Sequence, residues 1–61
     1  MDNNDVLKDL MHEHELSPQQ VAELLGMTRE GVYNWTRSRD TSGYRKMPDP
    51  ALKLLKITLL R

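Results

Sequence analysis

Four side chains that can contact nucleic-acid bases fall within residues 29–34: Arg29, Glu30, Tyr33 and Asn34. The planar guanidinium of Arg29 can donate two hydrogen bonds to guanine O6 and N7, and the amide of Asn34 can pair with adenine in the same bidentate way. Glu30 can accept from cytosine N4, or it can simply complement the positive end of a helix dipole. Tyr33 can bond a phosphate or pack on a thymine methyl group. If one helix presents all four outward, this pattern indicates base reading.

Two short helices, predicted over about 18–25 and 29–37, would position these side chains. Ser17 is a strong N-cap for the first helix, and Gly26 can adopt the left-handed conformation that ends it. Thr28 caps the second helix only two residues later. Helices joined this tightly cross at a steep angle, so the second helix is presented outward at a fixed attitude.

The inward positions of this pair are apolar, as a packed helix-turn-helix requires. Ala22 supplies the small side chain that a close approach between the helices needs. The other inward residues are Val21, Leu25, Met27, Val32 and Trp35. The alternative interpretation is an ordinary helical hairpin that ends in a glycine cap.

The segment LSPQQVAELLGMTREGVYNW, which begins at Leu16, resembles the DNA-binding motif of the Cro and lambda-repressor-like (XRE) transcriptional regulators. The resemblance covers residues 16–37 well and residues 6–15 more loosely. The tail PDPALKLLKI is similar to a truncated form in small phage regulators, such as the anti-CRISPR-associated autorepressors, and in the DNA-binding domains of some antitoxins. The resemblance implies a repressor whose second motif helix enters the major groove of double-stranded DNA.

Two further helices complete an expected all-α, four-helix, lambda-repressor-like domain over residues 1–61. The first is predicted over about 4–14, with Asn3 or Asn4 as its cap and with one apolar face formed by Val6, Leu7, Leu10, Met11 and His14. The last is predicted over about 50–60, with Asp49 as N-cap and Pro50 at its first position. Residues 38–48 lack periodicity and are predicted to be a loop.

The net charge of zero conceals a division between the halves of the chain. Residues 1–30 carry seven acidic and two basic side chains, and residues 31–61 carry the reverse. Such asymmetry indicates either an anionic partner for the second half or attraction between the two halves.

Phosphate contacts are expected from two places. Gln19 and Thr28 stand at helix starts, beside exposed backbone N–H groups. The basic loop adds Arg37, Arg39, Tyr44, Arg45 and Lys46, which are either phosphate contacts ordered on binding or a solvated loop. A third possibility makes residues 38–47 the wing of an excisionase-like architectural protein.

Several classes of function are not expected. The chain has no cysteine for a disulfide or a thiolate zinc site. His12 and His14 point in different directions on a helix, so no metal site is expected. With no cofactor motif and little room for a pocket, we expect no enzyme, no cofactor and no small-molecule ligand. The polar N-terminus and the lack of a long apolar run predict a cytoplasmic protein without a membrane partner.

The last helix predicts a homodimer. Ala51, Leu52, Leu55 and Leu59 form a stripe that can close a core over Val6, Leu10 and Trp35. Leu54 and Ile57 then lie on the far side, and Leu60 lies between Lys53 and Lys56. A two-fold partner would bury these side chains and bind an inverted-repeat operator. The alternatives are a frayed chain end, or an antitoxin-type module whose acidic half covers a basic protein.

Overall fold

Four helices form the fold in the computed structural model, which describes residues 1–60. In chain order they are α1 (Asn3–Glu13), α2 (Pro18–Leu25), α3 (Arg29–Thr36) and α4 (Asp49–Leu59). No strand occurs within residues 1–60. The all-α, four-helix prediction is confirmed, and the arrangement is compatible with a helix-turn-helix domain. A wing would require two strands in residues 38–47, so the winged alternative is not supported by the fold.

The turn between α2 and α3 forms from the local signals in the sequence. Ser17 Oγ accepts the Gln20 N–H at 3.3 Å, and Gln20 Oε1 accepts the Ser17 N–H at 2.8 Å, which closes a capping box at the start of α2. Gly26 ends the helix in the left-handed region, at φ 69°. Thr28 Oγ1 then accepts the Gly31 N–H at 3.3 Å and caps α3. The predicted Gly26 turn and the predicted N-caps Ser17 and Thr28 are confirmed.

The core lies between α2 and α3 and is closed by α1 and α4. Its buried members are Leu7, Val21, Ala22, Val32, Trp35, Met47, Leu52 and Leu55. Leu25 and Met27 pack against it while remaining partly exposed, as do Ala51 and Leu59. The predicted inward faces of α2, α3 and α4 are therefore confirmed.

Two predicted N-caps are wrong. Helix α1 begins one residue earlier than expected, and its cap is Asp2, whose carboxylate accepts the Asp5 N–H at 2.9 Å. Helix α4 has Pro48 at its N-cap position without a side-chain capping bond, and Asp49 is already helical. At that position Asp49 still complements the helix dipole, and its carboxylate also accepts a hydrogen bond from the Asn3 amide.

Asn4 is a buried polar residue rather than a cap, with 1% of its surface exposed. Its Nδ2 donates to Trp35 O and to Arg45 O, both at 2.8 Å. Its Oδ1 accepts the Met47 N–H at 2.9 Å. One side chain therefore joins α1 to the end of α3 and to the segment before α4.

Met47 is the part of the loop that sequence periodicity missed. Residues 38–48 contain no helix, as predicted, but the Met47 side chain is fully buried in the core. Its N–H bonds Asn4, and its carbonyl accepts from Asn3 Nδ2 at 3.0 Å. The loop is thus anchored where it enters α4.

We expect Asn4→Ala to lower the free energy of unfolding by about 2–4 kcal/mol, because it leaves buried backbone groups without partners. Asn3→Ala is the matched control, since Asn3 bonds the same loop from a half-exposed position, and it should cost about 1 kcal/mol or less. Urea denaturation followed by circular dichroism measures both variants. Equal losses for the two variants would contradict the special role of Asn4.

Candidate nucleic-acid interface

The outward face of α3 carries all four predicted base-reading side chains. Val32 and Trp35 are buried, so the opposite side of the helix faces solvent. Arg29 and Tyr33 are neighbours four residues apart, as are Glu30 and Asn34. Arg29, Glu30 and Tyr33 are exposed, whereas Asn34 is half-buried. The structure brings this set together as one surface, which we call the α3 face.

The two ends of α3 are held by different contacts. The Gly26 turn and the Thr28 cap fix the start of the helix. At the other end, Trp35 O accepts from Asn4, and Asn34 O accepts the Arg45 N–H at 3.1 Å. The backbone of α3 is therefore held by hydrogen bonds at both ends.

The residues predicted at helix starts are partly used within the protein. Gln19 is exposed in the first turn of α2. The Thr28 hydroxyl oxygen accepts the Gly31 N–H in its own helix, and its proton can still be donated to a phosphate. Glu30 lies in the first turn of α3, where a carboxylate also complements the dipole, so both roles proposed for it stay open.

The basic loop is an ordered turn that lies beside the end of α3. The Thr41 N–H bonds Ser38 O, and the Tyr44 N–H bonds Thr41 O, each at 3.0 Å. Arg45 and Lys46 are exposed, and Arg45 Nη1 donates to Tyr44 O at 3.0 Å. Tyr44 itself is half-buried. That the loop contacts phosphate on binding stays a prediction.

Arg39 is ion-paired at the protein surface with two carboxylates at the start of α1. Its Nη2 lies 2.6 Å from an Asp2 oxygen and 3.0 Å from an Asp5 oxygen. A phosphate would have to compete with these two carboxylates for the same guanidinium. The acidic and basic halves of the chain therefore attract each other through these two ion pairs. Arg39 is for this reason a weaker candidate for a phosphate contact than Arg45 or Lys46.

Arg37, the C-cap residue of α3, has a different environment. Its guanidinium carbon lies 4.9 Å from the centre of the Tyr33 ring. It forms no ion pair or hydrogen bond within residues 1–60, and its Nε is buried without a partner. The charge of Arg37, at the end of the α3 face, is therefore not neutralised by a carboxylate of residues 1–60.

An acidic residue also stands in the basic loop. The Asp40 carboxylate accepts the hydroxyl proton of Ser38, and this bond lowers the pKa of Asp40. Asp40 therefore stays ionised and offsets part of the positive charge of the loop.

Comparison of the chain with protein-family models, with curated proteins and with solved structures finds no match in any of the three. The resemblance to XRE regulators therefore depends on the motif residues alone. None of the four helices in residues 1–60 is long and apolar enough to cross a membrane.

The pKa of Asp2 is lowered, first by the Asp5 N–H that it caps and then also by the charge of Arg39. We expect Arg39→Gln to raise the pKa of Asp2 only part of the way to its ordinary value, because the capping bond remains. The stability that ionised Asp2 contributes is present above its unfolded pKa and is lost as the pH falls through the lowered value. Carboxyl NMR titration measures the shift. An unchanged pKa would mean that Arg39 does not contribute to the shift, and a full return to the ordinary value would mean that the capping bond does not.

Proposed function

We propose that this protein binds double-stranded DNA with the α3 face in the major groove and acts as a sequence-specific transcriptional repressor. The observation that carries the proposal is the α3 face itself. It places guanidinium, carboxylate, phenol and amide groups on one outward surface of a helix that is fixed at both ends. The major groove of B-DNA is about 12 Å wide and admits a helix, and its base edges match these groups.

The surroundings of the α3 face supply candidates for phosphate contacts. Gln19 and Thr28 lie beside the N-termini of α2 and α3, where free N–H groups favour anions. Arg37, Tyr44, Arg45 and Lys46 lie at the other end of α3. Phosphate contacts from both ends would fix the register of the helix along the groove.

A homodimer completes the proposal. Leu54, Ile57 and Leu60 are 47%, 50% and 86% exposed on or just after α4. Each such side chain contributes roughly 1.5–3 kcal/mol when it is fully buried. An apolar groove at Leu60, lined by Leu10, His14, Lys56, Leu59 and Leu60, adds to the apolar surface at this end of α4. A two-fold dimer would recognise an inverted repeat.

Repression would be steric, because a protein seated on an operator excludes polymerase from the promoter. The resemblance to small phage autorepressors favours control of the protein's own promoter. The site of action would be the cytoplasm of a bacterium or of a phage-infected host.

A second candidate function is an antitoxin-type interaction module. It is favoured by the acidic side chains Asp9, Glu13, Glu15 and Glu23, which are exposed on or just after α1 and α2 without an ion pair in residues 1–60. A stoichiometric basic protein recovered in a pull-down would favour this function. Recovery of DNA alone would favour the repressor.

We expect Arg29→Ala and Asn34→Ala each to lose about 1–3 kcal/mol of binding to the preferred sequence while folding normally, because each removes a base contact. Titration of labelled duplexes by fluorescence anisotropy measures the loss. The same variants should bind random DNA almost as well as the wild type.

Lys46→Ala is the matched control for base reading. It should weaken binding to both duplexes alike, and it should lower the slope of log K against log salt by about 0.9 if it removes one phosphate contact. If Arg29→Ala and Asn34→Ala behave like this control, then these residues contact phosphates and do not read bases.

We expect the double variant Leu54→Glu with Ile57→Glu to be monomeric, because charged side chains cannot be buried at a two-fold interface without partners. Sedimentation at micromolar concentration compares it with the wild type. Leu24→Glu is the control, since Leu24 is an exposed leucine on a different helix, α2. A monomeric wild type, or a double variant that still dimerises, would contradict the dimer proposal.

A further inference from the structure

Tyr33 lies on α3 between Arg29, at the start of the helix, and Arg37, its C-cap residue, each four residues away. Tyr33 is 52% exposed, and the guanidinium carbon of Arg37 lies 4.9 Å from the centre of its ring. A cation at this distance is attracted by the negative face of an aromatic ring. The contact therefore restricts the position of a side chain that is otherwise half in solvent.

Gly43, in the loop, leaves room for this arrangement. A β-carbon added at Gly43 would lie 2.9 Å from Arg37 Nη1, 3.0 Å from Cζ and 3.1 Å from Nε. The guanidinium thus occupies the space that any other residue at position 43 would need. Gly26 is the one glycine in the described chain with positive φ, so the requirement at Gly43 is for space rather than for backbone freedom.

The environment of Arg37 differs from that of the other arginines of the loop. Arg39 is paired with two carboxylates, and Arg45 donates to backbone carbonyls. Arg37 has a buried Nε without any partner, which costs stability. Arg37 contacts the exposed Tyr33 ring and not a side chain of the core. Because the unpartnered Nε costs stability while the guanidinium orders an exposed side chain, the arrangement indicates a role in recognition.

We propose that Arg37 is a positioning residue that, with the space left at Gly43, holds the Tyr33 ring so that its free side packs on the 5-methyl group of a thymine. This inference rests on the proposed function, and it decides between the thymine and phosphate roles of Tyr33. A hydroxyl bond to phosphate tolerates a mobile ring, whereas a methyl contact depends on a fixed ring surface. Preorganisation lowers the entropic cost of that contact.

The test uses the preferred duplex, with its thymines replaced one at a time by uracil, which removes only the 5-methyl group. At one thymine in each half-site, the wild type should bind about fourfold more weakly to uracil, the factor expected for one buried methyl group. Tyr33→Ala should show no such difference. Arg37→Gln and Gly43→Ala should reduce the thymine-to-uracil ratio towards one.

Arg45→Gln is the matched control, because it removes a neighbouring loop charge without touching Tyr33. It should weaken binding to both duplexes equally and keep the fourfold ratio. If Arg37→Gln also keeps the fourfold ratio, Arg37 acts only as a phosphate contact and the positioning role is overturned. A wild type that does not distinguish uracil from thymine at any position also overturns it.

A measurement without DNA tests the contact between the Arg37 guanidinium and the Tyr33 ring. The Tyr33 ring-proton shifts should move in Arg37→Gln and Gly43→Ala but not in Arg45→Gln, with all three variants retaining the helical content of the wild type. Unmoved shifts overturn the positioning role. A protein that prefers no DNA sequence overturns the proposed function, whereas a sequence preference that is insensitive to uracil overturns the present inference and leaves the proposed function standing.

Discussion

The side-chain amide of Asn4 is the interaction on which the rest of the structure depends. It donates to the carbonyls of Trp35 and Arg45 and accepts from the Met47 N–H, so one buried group fixes α1, the end of α3 and the segment that leads into α4. A buried amide without partners would be strongly destabilising, so these three bonds must form together. The geometry of α3 at its C-terminal end follows from this requirement.

A polar group can have this influence because the domain is small. A chain of about 60 residues buries only about 60% of its unfolded surface, so apolar packing alone stabilises one arrangement weakly. The cysteine-free sequence cannot add a disulfide. A buried amide with directional bonds tolerates little displacement of its partners. It therefore holds the loop and α3 in register, where apolar contacts alone would allow them to slide.

The sequence predicts the α2–α3 motif well because its signals are local. The Ser17 capping box, the Gly26 turn and the Thr28 cap each act within a few residues, and the structure contains all three. Asn4 could not be predicted in the same way. An asparagine near a helix start is usually a cap, and its actual partners lie more than thirty residues away.

In the candidate site, too, contacts between residues distant in the sequence could not be predicted. Periodicity along α3 gives the outward face, but it cannot show that Arg39 meets Asp2 and Asp5 across the fold. Met47 has no periodic neighbours and reads as loop, although its side chain is buried. The contact between Tyr33 and Arg37 could have been predicted from their four-residue spacing along a helix and its end. The space that the Arg37 guanidinium takes beside Gly43 could not, because it depends on how the loop folds back.

Selection of bound duplexes from a random DNA pool tests most directly whether the α3 face reads bases. We expect one enriched sequence with two-fold symmetry, whose half-sites are separated by about 34 Å, one turn of DNA. A pool that is retained at low salt but shows no enriched sequence would contradict base reading. It would mean that the protein binds only the charge of the backbone, and that the α3 face serves another purpose.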